Sequence, residues 1–232
     1  MTVLVIENCE NVTLGLLGQA LDEAKMPIDL RVMAENDPLP SDISKFSGLV
    51  VLGGLQHARA DEEFPFLKDV CNTILAFHKA DKPVMGICLG SQLIARAFGG
   101  ENILGNPVEA GWLPLQLSEA GKQDPVTSAF EQGDHIFILH TDTYTLPEGA
   151  IHLASSEMTP NQAFKMGRAT YAFQFHFECS VDQVNHWNGC FHGPINELVP
   201  HWKEILEEQG PKHGPKADAL GLEISRRWID LL

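Results

Sequence analysis

Residues 84–93, Val84-Met85-Gly86-Ile87-Cys88-Leu89-Gly90-Ser91-Gln92-Leu93, leave the chain few ways to fold. Val84, Met85 and Ile87 form a short apolar run suited to a central strand. Pro83 marks its entry, where a missing N–H costs little. Gly86 and Gly90 flank Cys88 at two residues on either side. That is the nucleophile-elbow spacing with Cys at the nucleophile position: a buried strand turns sharply into a helix and needs small neighbours for close packing. The turn sets the thiol at a helix N-terminus, whose positive dipole end favours the thiolate. Backbone N–H groups there can hold an oxyanion. Most cysteines are inert small hydrophobes, so a catalytic reading of Cys88 needs a base from elsewhere.

The segment Ala172-Phe173-Gln174-Phe175-His176-Phe177-Glu178 offers one. Phe173, Phe175 and Phe177 alternate with Gln174, His176 and Glu178 at period two, the strand signature. His176 and Glu178 then leave the same face, so the carboxylate can orient the imidazole and stabilise its charged form. The alternative is a half-polar edge strand with a solvated His and Glu. With Cys88 on a separate elbow, the joint reading Cys88–His176–Glu178 is favoured: nucleophile, general base and orienting acid.

Around these motifs, short apolar runs alternate with helical faces. Val3–Ile6, Ile28–Val32, Leu49–Leu52 and Val84–Ile87 read as strands. Leu14, Leu17, Ala20, Leu21 and Ala24, then Phe64 through Phe77, then Ile94–Phe98 read as helices. Strand–helix alternation predicts a mainly parallel sheet covered on both faces, with ligands bound beyond the carboxyl ends of the strands. Gly53-Gly54 and Cys88 both fall on that rim, so the Gly54 N–H can sit opposite Cys88 while the Leu89 N–H follows the nucleophile. Gln92, one helical turn past Cys88, shares the rim. From about Trp112 to Phe173 the pieces are shorter and suit an antiparallel addition. After Glu178, Ile195–Glu208 reads as a helix broken by Gly210-Pro211 through Gly214-Pro215. Ala217, Leu220, Ile224, Trp228 and Leu231 then share one face, packed on the chain's own core or on a partner.

The blocks Gly86–Leu93, Phe175-His176-Phe177-Glu178 and Val50-Val51-Leu52-Gly53-Gly54 together resemble the class I glutamine amidotransferases. So do Glu109-Ala110-Gly111-Trp112, His140–Pro147, Leu153–Ser156 and Pro160–Phe164. The resemblance runs from the first strand to about Glu178 and is closest to a stand-alone branch related to GMP synthase amidotransferase domains and γ-glutamyl peptidases. It implies an α/β, flavodoxin-like, mainly parallel sheet with helices on both faces and a small antiparallel addition. It implies Cys88, His176 and Glu178 as the catalytic triad, Gly54 and Leu89 as the oxyanion hole, and Gln92, Thr141 and Asp142 as substrate contacts, with no cofactor and no metal. Two positions depart from the family pattern: Phe177 and Leu55 stand where Pro is usual.

The implied reaction hydrolyses the γ-amide of glutamine through a γ-glutamyl thioester, with a synthetase receiving the ammonia in trans. The alternatives are a hydrolase of other γ-glutamyl compounds and a non-catalytic regulatory module. A related superfamily of intracellular cysteine peptidases has His directly after the Cys; here Leu89 stands there. The 232 residues are expected to form one such domain, with a helical tail from about 195 to 232. A net charge of −15 repels nucleic acid and anionic membranes. Five cysteines, odd in number and without a zinc-type pair, point to free thiols in a reducing, cytoplasmic compartment. The N-terminus reads as no signal peptide, and no apolar run approaches the roughly 20 residues of a membrane span. The oligomeric state is left open.

Overall fold

In the computed structural model, which describes residues 2–232 with the side chains of His192 and Pro194 left aside, strand and helix alternate through the first half. In order come β1 (Thr2–Glu7), α1 (Gly15–Glu23), β2 (Ile28–Val32), β3 (Phe46–Val51), α2 (Phe66–Lys79), β4 (Val84–Ile87) and α3 (Leu89–Ala97). Shorter pieces follow: β5 (Asn102–Ile103), β6 (Glu109–Pro114), β7 (Gln116–Leu117), α4 (Glu119–Gln123), β8 (His135–His140), β9 (Thr143–Tyr144), β10 (Ile151–Ser155), β11 (Ala163–Met166) and β12 (Thr170–Phe173). The chain ends in α5 (Val181–Cys190), α6 (His192–Leu198), α7 (Trp202–Glu204) and α8 (Gly210–Ile229).

Eight strands form one sheet in the order β2-β1-β3-β4-β12-β11-β10-β7. The first five run parallel, and β11, β10 and β7 continue the sheet antiparallel. The parallel part has the 2-1-3-4-5 order of flavodoxin-like folds. Val3, Val5 and Val50 enter one core with Leu17 of α1 and Trp228 of α8. Leu4, Ile6 and Leu49 enter the other with Val70 of α2 and Leu93 of α3. Alternate residues serve opposite dry faces, which is why these strands read as unbroken apolar runs. Two further antiparallel pairs, β5 with β9 and β6 with β8, complete the addition, which starts earlier than Trp112.

The elbow is built as its glycines imply. Cys88 has φ +51° and ψ −110°, a conformation that L-residues hold only when their surroundings over-determine it. A methyl group at Gly90 would lie 2.0 Å from the Val51 carbonyl oxygen, so α3 can close onto β3 only with glycine there.

Two expectations are corrected. His176 and Glu178 are not on a strand, because β12 ends at Phe173. Its parallel neighbour β4 ends at Ile87, and the last ladder bond runs from Cys88 N–H to the Phe173 carbonyl at 2.8 Å. Beyond it β4 turns into the elbow and offers no further partner. The Gln174 N–H turns to Gln162 O and the His176 N–H to Phe137 O, both at 2.9 Å. The polar set is then as buried as the phenylalanines. The tail also breaks elsewhere: α6 stops before Val199-Pro200, a π turn spans Ile205–Gln209, and α8 runs unbroken through Pro211 and Pro215. Pro211 occupies the first turn, where a helix needs no N–H. The break that Pro215 favours is outweighed by burial of Ala217, Ile224 and Trp228 against α1 and the β6–β8 pair.

These contacts set expectations for two glycines. Gly90→Ala should cost about 2 kcal/mol or more in urea unfolding. Gly189→Ala, whose added methyl meets nothing within 4 Å in the last turn of α5, should be neutral or gain up to about 0.5 kcal/mol. Equal effects at the two positions would contradict the packing described for the elbow.

Candidate active site

Because β4 and β12 are parallel neighbours, their carboxyl ends deliver Cys88 and His176 to the same rim. Gly53 lies between them: a Cβ there would sit 3.5 Å from both Cys88 Cβ and His176 Cε1. The partly exposed Cys88 thiol lies 4.0 Å from the Leu139 carbonyl. His176 is buried, and its Nδ1 lies 2.7 Å from Glu178 Oε1, which leaves Nε2 as the other reactive ring position. The imidazole packs edge-to-face on Trp187, with centroids 5.1 Å apart. The carbonyl of Glu178 accepts from Leu16 N–H at 2.8 Å, tying the turn to α1.

Burial alone would lower the His176 pKa from its ordinary 6.5. The Glu178 carboxylate first, and Cys88 second, more than reverse this and hold it well above that value. Glu178 is wholly buried, and its second carboxylate oxygen has no hydrogen-bond partner among the described residues. The charge of Glu178 is therefore matched chiefly by a protonated imidazole.

The cleft, about 160 Å³ in volume, brings together Gly54, Cys88, Leu89, Gln92, Thr141, Asp142 and His176 on its lining, with Glu178 behind His176. Leu89 opens α3, where the first N–H groups have no acceptor within the helix. The opposite turn is fastened: Asn8 Nδ2 donates to Leu52 O at 2.7 Å and Gln56 Nε2 to Asn8 O at 3.0 Å. These two bonds tie both ends of the turn to Asn8, while Leu55 itself is exposed. Gln92 Nε2 donates to Asp142 O and Gln174 Oε1, both at 3.2 Å. Asp142 Oδ1 accepts from Gly105 N–H at 2.8 Å. Gln92 and Asp142 therefore shape the cleft wall as well as facing it.

Two features escaped the sequence reading. His140 belongs to the cleft lining, and its Nε2 lies 3.1 Å from Glu109 Oε2 in a buried cluster with Ser156 and Gln162. Burial pushes the Glu109 pKa up, but His140 and the Ser156 hydroxyl beside it bring it below its ordinary value. The second feature is a roof over the cleft from Trp187, Phe191, Ile195, Leu198 and Val199, whose spacing is a helical stripe legible in the sequence. Among the described residues, one trio has ligand atoms close enough for a metal ion: His176, Glu178 and Cys179, within 4.8 Å of one another. A metal on His176 Nδ1 would displace its bond to Glu178, and burial together with the Glu178 charge pushes the Cys179 thiol pKa up. That donor set suits the acid–base pair better than an ion.

The sheet is a flavodoxin-like α/β fold with a cysteine elbow and an adjoining His–Glu pair on its carboxyl rim. Residues 5–186 match the class-I glutamine amidotransferase family, and the chain belongs to it. The glutamine amidotransferase-like protein YfeJ of Salmonella typhimurium is 36% identical over 151 residues, 64% of this chain and 63% of that protein's length. One subunit of the glutamine-hydrolyzing GMP synthase of Methanosarcina barkeri is 27% identical over 186 residues, 79% of this chain and 86% of that protein. A Thermotoga maritima glutamine amidotransferase crystal structure superposes with a TM-score of 0.87 at 26% identity, covering 99% of this chain and 98% of that one. One from Methylobacillus flagellatus gives 0.89 at 27%, covering 100% and 95%. No helix of the described residues is long and apolar enough to cross a membrane.

A histidine whose pKa is raised by folding adds stability that is fully present below about pH 6.5 and is lost as pH rises through the folded value. Wild-type protein should therefore lose more urea resistance between about pH 6 and pH 9 than Glu178→Gln, which lacks the main cause of the rise. Parallel loss in the two proteins would contradict the charged pair.

Proposed function

We propose that this chain is a Cys-His-Glu amidase that opens the γ-amide of a γ-glutamyl group, glutamine being the smallest such substrate. The observation that carries this is the placement of Cys88 and His176 on either side of Gly53, with Glu178 on the far ring nitrogen. Cys88 Sγ attacks the γ-carbonyl carbon, and the developing oxyanion is met by the Gly54 and Leu89 N–H groups. The C–N bond breaks as protonated His176 gives its proton to the leaving nitrogen, which departs as ammonia. His176, now neutral, takes a proton from water, which attacks the γ-glutamyl thioester and releases glutamate and the free thiol. Glu178 holds the ring and stabilises its charged form. Gln92, Thr141 and Asp142 line the part of the cleft that would hold the amino-acid end of the substrate.

In this reading residues 1–232 act as one amidase unit, with the tail from about 195 supplying part of the cleft. The relative that is one subunit of a GMP synthase supports transfer of ammonia to a synthetase in trans. The apolar roof supports the second reading, hydrolysis of larger γ-glutamyl compounds.

Glutamine plus hydroxylamine tests the proposal. A thioester partitions to the nucleophile, so γ-glutamyl hydroxamate should form alongside glutamate, with ammonia release independent of hydroxylamine once acylation limits the rate. Cys88→Ala should abolish both products, while Cys9, Cys71, Cys179 and Cys190 replacements that fold should keep them. His176→Ala should lose at least about 10³-fold in kcat, and Glu178→Gln less. Turnover by Cys88→Ala would refute the mechanism.

A further inference from the structure

The roof begins where the family match ends. That match stops at residue 186, and Trp187, Phe191, Ile195, Leu198 and Val199 close over the cleft from α5, α6 and the turn after them. Trp187 anchors this cover: its Nε1 donates to Asn11 O at 2.8 Å, and its ring meets both His176 and Phe191 edge-to-face. The roof is therefore fixed against the imidazole that protonates the leaving nitrogen. This wall offers a place for a substituent on that nitrogen to sit.

The wall is apolar where ammonia would need nothing. Leu198 is 49% exposed and Val108, also on the lining, 38%. Two large apolar side chains thus stand in water at the mouth of the cleft, a cost that an apolar ligand would remove. None of the described lining side chains is Lys or Arg, and the only carboxylate among them is Asp142. A substituent carrying its own carboxylate would find no lysine or arginine to pair with there, the His176 charge being already matched by Glu178.

We infer that the preferred substrate is a γ-glutamyl amide whose amine carries an aliphatic or aromatic group, seated under the Trp187–Val199 roof. The inference rests on the amidase reading above and names the substrate class of the same site. The chemistry balances in the same way: the γ-carbonyl C–N bond breaks, the amine leaves as R–NH₂ with the His176 proton, and water converts the thioester to glutamate.

The test is a series of five substrates read by glutamate release: glutamine, then γ-glutamyl methylamide, n-butylamide and benzylamide, and finally γ-glutamylglycine. With each buried methylene worth about fourfold, kcat/KM should rise at least about tenfold from glutamine to the n-butylamide. γ-Glutamylglycine should not exceed glutamine. In the Val108→Asn, Leu198→Asn double variant, both positions being exposed and safe for folding, the n-butylamide to glutamine ratio of kcat/KM should fall at least about threefold. A flat series, a preference for γ-glutamylglycine, or an unchanged ratio in the variant would overturn the inference, while Cys88-dependent turnover leaves the amidase standing. No turnover of any of the five substrates would overturn the amidase reading, and the inference with it.

Discussion

The hydrogen bond from the Cys88 N–H to the Phe173 carbonyl, 2.8 Å long, closes the ladder between two strands that lie far apart in sequence. Its donor is the elbow residue itself, one position past the end of β4. Three residues beyond it on β12 the chain has reached His176. The site depends on this pairing, because the order β3-β4-β12 places the Gly53-Gly54 turn, the thiol and the imidazole on consecutive strand ends. Gly90 lets α3 press against Val51, so the helix that presents the thiol is seated on the strand that leads into the Gly53-Gly54 turn. Position is thereby set by backbone geometry before any side chain contributes.

Charge is arranged with the same economy. Glu178 is fully buried and meets the protein through one oxygen on His176, with the Cys179 thiol 3.6 Å from that oxygen. A buried carboxylate with so few partners costs free energy unless a cation stands beside it. The Glu178 charge favours the protonated imidazole, the form that the proposed chemistry needs to support a thiolate and supply the leaving group's proton. The raised His176 pKa and the chemistry proposed for it are consequences of one arrangement.

The sheet was legible because both of its faces are dry: Val3–Ile6, Leu49–Leu52 and Val84–Ile87 are apolar runs with no competing reading. The elbow was legible because its glycines answer a steric demand that appears in the spacing. The Phe173–Glu178 alternation misled as to strand, though not as to partners. Period two records two sets of side chains, and here the polar set turns inward, Gln174 onto Gln92 and His176 onto Glu178, rather than out to solvent. The Gly210–Pro215 segment misled because local chain preferences cannot register the burial of Ile224 and Trp228. Glu109, His140, Ser156 and Gln162 all fall in stretches the sequence singles out, but their pairing was not legible, because they are scattered in sequence and assembled only by the antiparallel addition. The stripe of the roof was readable in the spacing, but what it covers was not, since that depends on where α5 and α6 fold back.

Cys88 becomes acylated in the proposed cycle, and that species can be weighed. Protein mixed with glutamine or γ-glutamyl n-butylamide, quenched in acid within the first turnovers and digested, should show one added γ-glutamyl group on the peptide containing Cys88. None should appear on the peptides of Cys9, Cys71, Cys179 or Cys190. Glutamate production at full rate with Cys88 never acylated, or with the adduct on another cysteine, would contradict the mechanism at its centre.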